Sequence, residues 1–210
     1  KHFQDTHRIV PIVYQGRSLE AYIQNALSQI ASVPDGSVAI CYSMGSQIAR
    51  GVAKHRPNLF KKVALLSGME YFGIRVQTVL TGLRIGILPF LRLFVGLPLM
   101  FDTADQFRQL FFTKKDPETS LIEKFLKERI KPEPAWVIIR MSLFSMRRHM
   151  KPFSCPILAV IPKDDFFVHK ATYPKEHVER IEIPGTHGLL CYKEDRLARQ
   201  LEEIKTWFAK

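Results

Sequence analysis

The stretch Ile40-Cys41-Tyr42-Ser43-Met44-Gly45-Ser46 joins two segments of different character. Residues 37–40 form a short apolar run that is typical of a buried strand, and residues 47–54 have the pattern of a helix. Ser43 is therefore predicted to lie on a strand-to-helix turn. The backbone N–H of Met44 would then lie at the start of the helix, where the helix dipole favours negative charge.

This arrangement resembles the nucleophile elbow of the α/β-hydrolase family, in which a serine occupies a sharp, strained turn. The resemblance implies that Ser43 is a nucleophile and that the N–H of Met44 faces the oxyanion. The family usually has glycine where this chain has Cys41, whereas Gly45 keeps the second crowded position. Cys41 ranks low as a nucleophile because its place in the strand should point it away from the pocket. A buried serine in an ordinary turn is the simpler alternative.

A second stretch of interest follows residues 155–161, which predict a buried strand. The strand leads into Pro162-Lys163-Asp164-Asp165, which is similar to the acid loop of the same family. By that resemblance the acid of the site is Asp165, with its neighbour Asp164 as the alternative. An acidic turn that faces solvent would also explain the pair.

A third stretch, Pro184-Gly185-Thr186-His187-Gly188, follows the last predicted strand at residues 177–183 and precedes the last predicted helix. The family carries its catalytic histidine on this loop, so the resemblance implies that His187 is the base. The resulting order Ser43, Asp165, His187 is the chain order of the triad in α/β-hydrolases.

The rest of the pattern predicts the fold class. A strand at Arg8–Tyr14, a helix that follows Ser18 and should lie on the sheet, and a strand at residues 62–66 alternate with the elbow strand and its helix. Pro11 weakens the first of these strands. The alternation predicts an α/β fold with a mostly parallel sheet flanked by helices.

Residues 76–150 interrupt this alternation, and we predict that they form an inserted helical cap over a core of residues 1–75 and 151–210. Helices are expected from Asp116-Pro117-Glu118 onward and at residues 135–146. The apolar run at 76–101 is broken by glycine, proline and arginine, so it is too short for the ~20 residues of a membrane span. It can form either a buried hairpin or a lid over an apolar substrate.

The resemblance covers about residues 8–208 and starts at the fourth strand of the family. The third strand should lie between the fourth and fifth, and the loop after it supplies the second oxyanion N–H; neither is found. Because an empty slot would expose two strand edges, we expect the natural chain to be longer.

The amino-acid composition limits the classes of partner that are expected. The 210 residues are 46% hydrophobic, which predicts one globular domain, and the net charge of +11 is spread without a basic tract. A solvated basic surface is therefore preferred to nucleic-acid binding, and attraction to a membrane surface, coenzyme A phosphates or an acidic carrier protein is the sharper alternative.

Three sparse cysteines and no signal-peptide pattern indicate a reducing compartment, the cytoplasm. No zinc spacing and no nucleotide loop is present, so neither metal nor cofactor is expected.

These observations predict a serine hydrolase that cleaves a carboxylic ester or thioester with an apolar acyl group. The expected substrate is a small molecule, with a lipid-like one as an alternative. An acyltransferase of the same fold, a carbon–carbon bond hydrolase and a non-catalytic protein that binds a ligand or partner stay as alternatives. Neither the substrate nor the oligomeric state follows from the sequence.

Overall fold

The structure, a computed structural model of the chain, describes residues 8–69, 95, 97, 103–112, 117–128, 137, 151–165, 168, 177–191 and 194–210. These residues form five α-helices, four β-strands and one 3-10 turn. In chain order the elements are α1 (Leu19–Gln29), β1 (Ser37–Tyr42), α2 (Gly45–His55), β2 (Phe60–Leu66), α3 (Ala104–Phe111), α4 (Thr119–Glu128), β3 (Ile157–Pro162), β4 (Val178–Ile183), the 3-10 turn (Leu189–Cys191) and α5 (Glu194–Ala209).

The four strands form one sheet in the order β1-β2-β3-β4, and all three neighbouring pairs are parallel. The predicted α/β class with a parallel sheet flanked by helices is therefore confirmed. The strands predicted near residues 37, 62, 155 and 177 are present, with boundaries that differ by a few residues. Parallel strands place their carboxyl ends at one edge of the sheet, which brings the loops after β1, β3 and β4 together.

The two faces of the sheet are covered by different helices, as the two-residue period of a strand requires. On one face, Ala64 and Leu66 of β2 and Leu158 and Val160 of β3 pack with residues of α3, α4 and α5. On the other face, the intervening strand residues pack against α2 through its small side chains. That second set is Val63, Leu65, Ile157, Ala159 and Ile161, with Ala49 and Ala53 of α2.

Helix α1 differs from the prediction in its packing partner. Its apolar side chains contact α2 rather than the sheet, in a cluster that includes Ile23, Ile48 and Val52. Gly51 of α2 makes this close approach possible, because a Cβ at that position would collide with the side chain of Ile23. The prediction that α1 lies directly on the sheet was therefore wrong, since α2 already covers that face.

The predicted strand at Arg8–Tyr14 is also wrong, because these residues have no regular secondary structure. The side-chain amide of Gln29 takes the place of a partner strand: its Nε2 donates to the Val13 carbonyl at 2.8 Å and its Oε1 accepts from the Val13 N–H at 3.0 Å. Pro11 has no N–H to offer a neighbouring strand. Consequently β1 is an edge strand of the described sheet, and its Ile40 is 41% exposed.

Two helices of the predicted cap lie within the described residues. Helix α4 begins three residues after Asp116, and Ile122 of α4 and Phe107 of α3 are buried in the same cluster as Leu66 and Val160 of the sheet. Most of the segments predicted at 76–101 and 135–146 lies outside the described residues, so the division into core and cap stays a prediction. In the part of the chain that is described, no helix is long and apolar enough to cross a bilayer.

Candidate active site

Ser43 lies on a strained turn between β1 and α2. Its φ of +46° is in the left-handed region, which non-glycine residues adopt rarely and mostly where surrounding contacts enforce it. The Ser43 N–H donates to the Leu66 carbonyl at 3.1 Å, so the end of β2 holds the turn. On the helix side, Ser46 donates from its N–H and from its hydroxyl to the Ser43 carbonyl, at 3.1 and 2.7 Å.

The structure brings the three predicted site residues into one chain of hydrogen bonds. The Ser43 Oγ is 2.8 Å from His187 Nε2, and His187 Nδ1 is 2.9 Å from Asp165 Oδ2 and 3.1 Å from Oδ1. Asp165 is fully buried and His187 is 3% exposed. Because a carboxylate only accepts hydrogen bonds, a proton on Nδ1 leaves Nε2 as the acceptor for the serine hydroxyl.

Asp165, and not its neighbour Asp164, faces the histidine. The Asp165 N–H donates to the Pro162 carbonyl at 3.0 Å, and its Oδ1 also accepts from the Val168 N–H at 3.2 Å. These bonds fix the carboxylate after the end of β3. Asp164 is exposed, and its N–H donates to the Gly185 carbonyl at 2.8 Å, which joins the acid loop to the loop that carries His187.

Two aromatic residues that the sequence did not indicate also contact the histidine. The Tyr42 hydroxyl donates to the His187 carbonyl at 2.5 Å, and the ring of Phe111 at the end of α3 stacks on the imidazole with centroids 5.5 Å apart. The next residue, Phe112, fills the space beside Gly188, where a Cβ would collide with its ring. Tyr42 directly precedes the serine, which could have pointed to it, whereas no local signal marks the two phenylalanines.

The N–H of Met44 lies at the start of α2, as predicted for a donor at the elbow. Within the described residues it donates to no acceptor, since the first helical N–H groups have no partner inside their own helix. The second N–H donor that the resemblance implies cannot be assigned to a described loop.

Cys41 does not belong to the site. Its side chain packs with Ala49, Ala53 and Val63 in the core between the sheet and α2, as its place in the strand predicted. Burial raises the pKa of the Cys41 thiol to about 12, with Arg50 lowering the pKa and Cys155 raising it to a smaller degree. The residue is therefore a protonated thiol at neutral pH and no competitor of Ser43 as a nucleophile.

Other parts of the described structure do not extend the site. A cavity of about 490 Å³ lies between β4 and α5 and is lined by Leu158, Glu179, Ile181, Glu202 and Trp207 among others, none of them a site residue. No group of three or more His, Cys, Asp or Glu side chains that could hold a metal ion occurs among the described residues.

Comparison with known proteins identifies the fold of this chain. No family model and no curated protein matches the chain. Among solved structures, it is similar to an α/β-hydrolase fold protein from Chitinophaga pinensis, with a TM-score of 0.56 and 15% identity over 91% of this chain and 73% of the other. The chain has the α/β-hydrolase fold.

Two further structures with this fold carry the names of enzymes. One is a thermophilic esterase from Thermogutta terrifontis, with a TM-score of 0.55 and 15% identity over 93% of this chain and 75% of the other. The second is 2-hydroxy-6-oxo-6-phenylhexa-2,4-dienoate hydrolase from a Rhodococcus strain, with a TM-score of 0.57 and 14% identity over 92% and 73%. The α/β-hydrolase fold thus accounts for the elbow and the parallel sheet of this chain, and identities this low concern the fold alone.

Proposed function

We propose that this protein is a serine hydrolase that cleaves a carboxylic ester or thioester through Ser43, His187 and Asp165. The proposal rests on one observation, the continuous path of hydrogen bonds from the Ser43 hydroxyl through the imidazole to the Asp165 carboxylate. A serine hydroxyl is a weak nucleophile at neutral pH, so a base within hydrogen-bond reach is what the chemistry requires. The 2.8 Å separation of Oγ and Nε2 meets that requirement.

The reaction follows from these positions. His187 Nε2 takes the proton of Ser43 Oγ as the oxygen attacks the acyl carbon, and the N–H of Met44 donates to the oxyanion. The imidazolium is stabilised by Asp165 and then protonates the leaving alcohol or thiol, which leaves the acyl group on Ser43. Water activated by His187 attacks this acyl-enzyme, and the carboxylic acid leaves.

The nature of the substrate is the finer part of the proposal. The rings of Phe111 and Tyr42 lie beside the imidazole, so an apolar acyl group suits the site better than a charged one. An acyltransferase would use the same steps with a different acceptor in place of water. The three free cysteines agree with a reducing compartment, and we propose the cytoplasm.

The test is hydrolysis of p-nitrophenyl esters from acetate to palmitate by the full-length protein, beside Ser43→Ala and the core variant Cys41→Ala. We expect Ser43→Ala to lower kcat by about 10⁴-fold or more, and Cys41→Ala to stay near the wild-type rate. The preferred chain length then measures the acyl pocket. Equal slow rates for wild type and Ser43→Ala in folded samples would contradict esterase activity.

If no esterase activity is found, labelling with a fluorophosphonate distinguishes an enzyme with a specialised substrate from a non-catalytic protein. A label on Ser43, located by mass spectrometry, would indicate an activated serine that needs a more specialised acyl donor or acceptor. An unlabelled Ser43 in a folded, full-length sample would favour the non-catalytic alternative.

A further inference from the structure

The hydroxyl of Ser46 joins the elbow to the loop that follows β2. Its Oγ donates to the Ser43 carbonyl at 2.7 Å and accepts from the Met69 N–H at 2.9 Å. Ser46 is the second residue of α2 and is fully buried, and Met69 is buried as well. One buried side chain therefore connects backbone groups of two separate segments, and one of these groups belongs to the proposed nucleophile.

Arg50, one turn further along α2, holds the other polar group of Met69. Its Nη1 donates to the Met69 carbonyl at 3.0 Å, and its guanidinium lies over the ring of Phe153, 5.0 Å from the centroid. The Ser46 hydroxyl is also 3.4 Å from the Met69 carbonyl, but a hydroxyl has only one proton to donate. The shorter distance to the Ser43 carbonyl, together with the donor that Arg50 supplies to Met69, directs that proton to Ser43.

The loop after β2 is a firm anchor for this contact. Ser67 begins the loop with a φ of +48°, in the same left-handed region as Ser43, and its N–H donates to the Val160 carbonyl of β3 at 3.0 Å. The loop is therefore held by β3 at Ser67 and by α2 at Met69. A hydroxyl that is bonded to Met69 has a fixed position from which it can constrain the elbow.

The strained conformation of Ser43 gives this constraint a role in the reaction. A serine with a left-handed backbone keeps that conformation only where surrounding contacts enforce it. At Ser43 the carbonyl accepts from both the N–H and the hydroxyl of Ser46. We propose that Ser46 is a positioning residue: its hydroxyl keeps the Ser43 Oγ within reach of His187 Nε2. This inference rests on the proposed hydrolase function, and Ser46 itself exchanges no proton with the substrate.

The experiment replaces Ser46 by threonine, cysteine and alanine, because donor strength and side-chain size change in different orders along this series. Threonine keeps the hydroxyl and can bond the carbonyl three residues earlier in a helix, whereas cysteine is a weak donor and alanine has none. We expect kcat/KM for a p-nitrophenyl ester to follow donor strength, since a misplaced nucleophile costs up to about 10²-fold. Ser46→Thr should stay within about threefold of wild type, and Ser46→Ala should lose about 10–10²-fold, with Ser46→Cys between them.

Two further measurements separate positioning from a loss of stability. The rate constant for fluorophosphonate labelling should fall in parallel with kcat/KM, because it depends on the attack by Ser43 alone. The added methyl group of Ser46→Thr should lower the melting temperature through overpacking while kcat/KM is kept. All rates are expressed per folded enzyme. If Ser46→Ala does not fold, the comparison of Ser46→Thr with Ser46→Cys decides the question.

Ser37→Ala is the matched control for the loss of one serine hydroxyl. The Ser37 hydroxyl also donates to the carbonyl three residues earlier, that of Pro34, at the same distance of 2.7 Å. This bond lies at the start of β1, at the opposite end of the strand from Ser43. Its loss should leave kcat/KM within about twofold of wild type, as for most changes outside a site.

The outcomes separate this inference from the function on which it rests. If Ser46→Thr is as slow as Ser46→Ala, or slower, the inference is overturned, because size and not the hydroxyl then decides the rate. A wild-type kcat/KM in Ser46→Ala beside an inactive Ser43→Ala would also overturn it and leave the hydrolase intact. Activity that survives Ser43→Ala would instead remove the proposed function.

Discussion

The two sides of Ser43 are built differently. On the side of His187, the loops after β1, β3 and β4 meet, and His187 Nδ1 lies within 3.1 Å of both carboxylate oxygens of Asp165. On the other side, β1 is the edge strand of the described sheet, its Ile40 is exposed, and an irregular segment approaches Gly45 of the elbow through Tyr14. The difference shows that neighbouring parallel strands suffice to bring the proposed acid, base and nucleophile together, whereas the opposite side of Ser43 depends on what lies beyond β1.

The largest loss of activity is expected when the carboxylate of Asp165, which contacts His187, is removed. Asp165→Asn should keep the shape of the site but offer the imidazole an amide, which stabilises the wrong tautomer and no imidazolium. We expect kcat to fall by about 10³–10⁴-fold with little change in KM. Ester hydrolysis at neutral pH measures this loss, and circular dichroism shows whether the variant is folded.

The matched control for this prediction is Asp164→Asn, which changes the adjacent carboxylate in the same way. Asp164 is exposed and joins the two loops through its backbone N–H, which the substitution leaves in place. Its kcat should stay within about twofold of wild type, as for most surface changes. A larger loss in Asp164→Asn than in Asp165→Asn would mean that the acid has been assigned to the wrong residue.

A smaller loss should follow when the histidine loop is displaced without touching its chemistry. In Gly188→Ala the new methyl group meets the ring of Phe112. Overpacking of this kind costs about 1–3 kcal/mol in stability, and movement of the neighbouring His187 by about 1 Å can lower kcat by up to about 10²-fold. Thermal melting and kcat for the same ester measure the two effects.

Adding Phe112→Leu to Gly188→Ala checks the cause of that loss. Because the smaller side chain makes room for the methyl group, the double variant should recover part of the activity lost in Gly188→Ala. Effects that simply add in the double variant would show that the ring of Phe112 does not position the loop.

A further prediction concerns the hydrogen bond from the Tyr42 hydroxyl to the His187 carbonyl. Tyr42→Phe removes the hydrogen bond to the His187 carbonyl but keeps the aromatic ring near the imidazole. One such bond contributes about 0.5–1.5 kcal/mol, which corresponds to a fall in kcat/KM of about two- to tenfold if the bond acts through the position of His187. An unchanged kcat/KM with a lowered melting temperature would assign Tyr42 a structural role only.

The contrast between the two sides also explains what the sequence could predict. Strands β2 and β3 were predictable because each is a local apolar run with buried residues, β1 because it is a short apolar run, and β4 because its apolar residues alternate with charged ones. His187 and Asp165 were candidates because each lies in the loop after a predicted strand, where the resemblance places the base and the acid. Phe111 could not be found in this way, since it reaches the imidazole only when α3 packs on the sheet. The failed strand at Arg8–Tyr14 has a similar origin: strand pairing needs a neighbour, and the side chain of Gln29 took that place.

The smallest effect on activity is expected from Ile40→Lys. This variant tests whether the outer edge of β1 is exposed in solution. Within the part of the chain that the structure describes, the outer edge of β1 has no partner strand and carries an exposed apolar side chain, an arrangement that favours pairing between copies of a chain. A lysine at this position should reduce self-association of the 210-residue chain and change the free energy of unfolding by no more than about 1 kcal/mol. Light scattering as a function of concentration measures the association.

Val13→Lys is the control, because Val13 is 52% exposed and the substitution adds the same charge outside any strand. If strand pairing at β1 drives association, Ile40→Lys should suppress it and Val13→Lys should not. Equal suppression by both variants would assign the effect to the added charge, since repulsion between basic chains does not depend on where the charge lies. In that case strand pairing at the outer edge of β1 would not be what drives association of the chain.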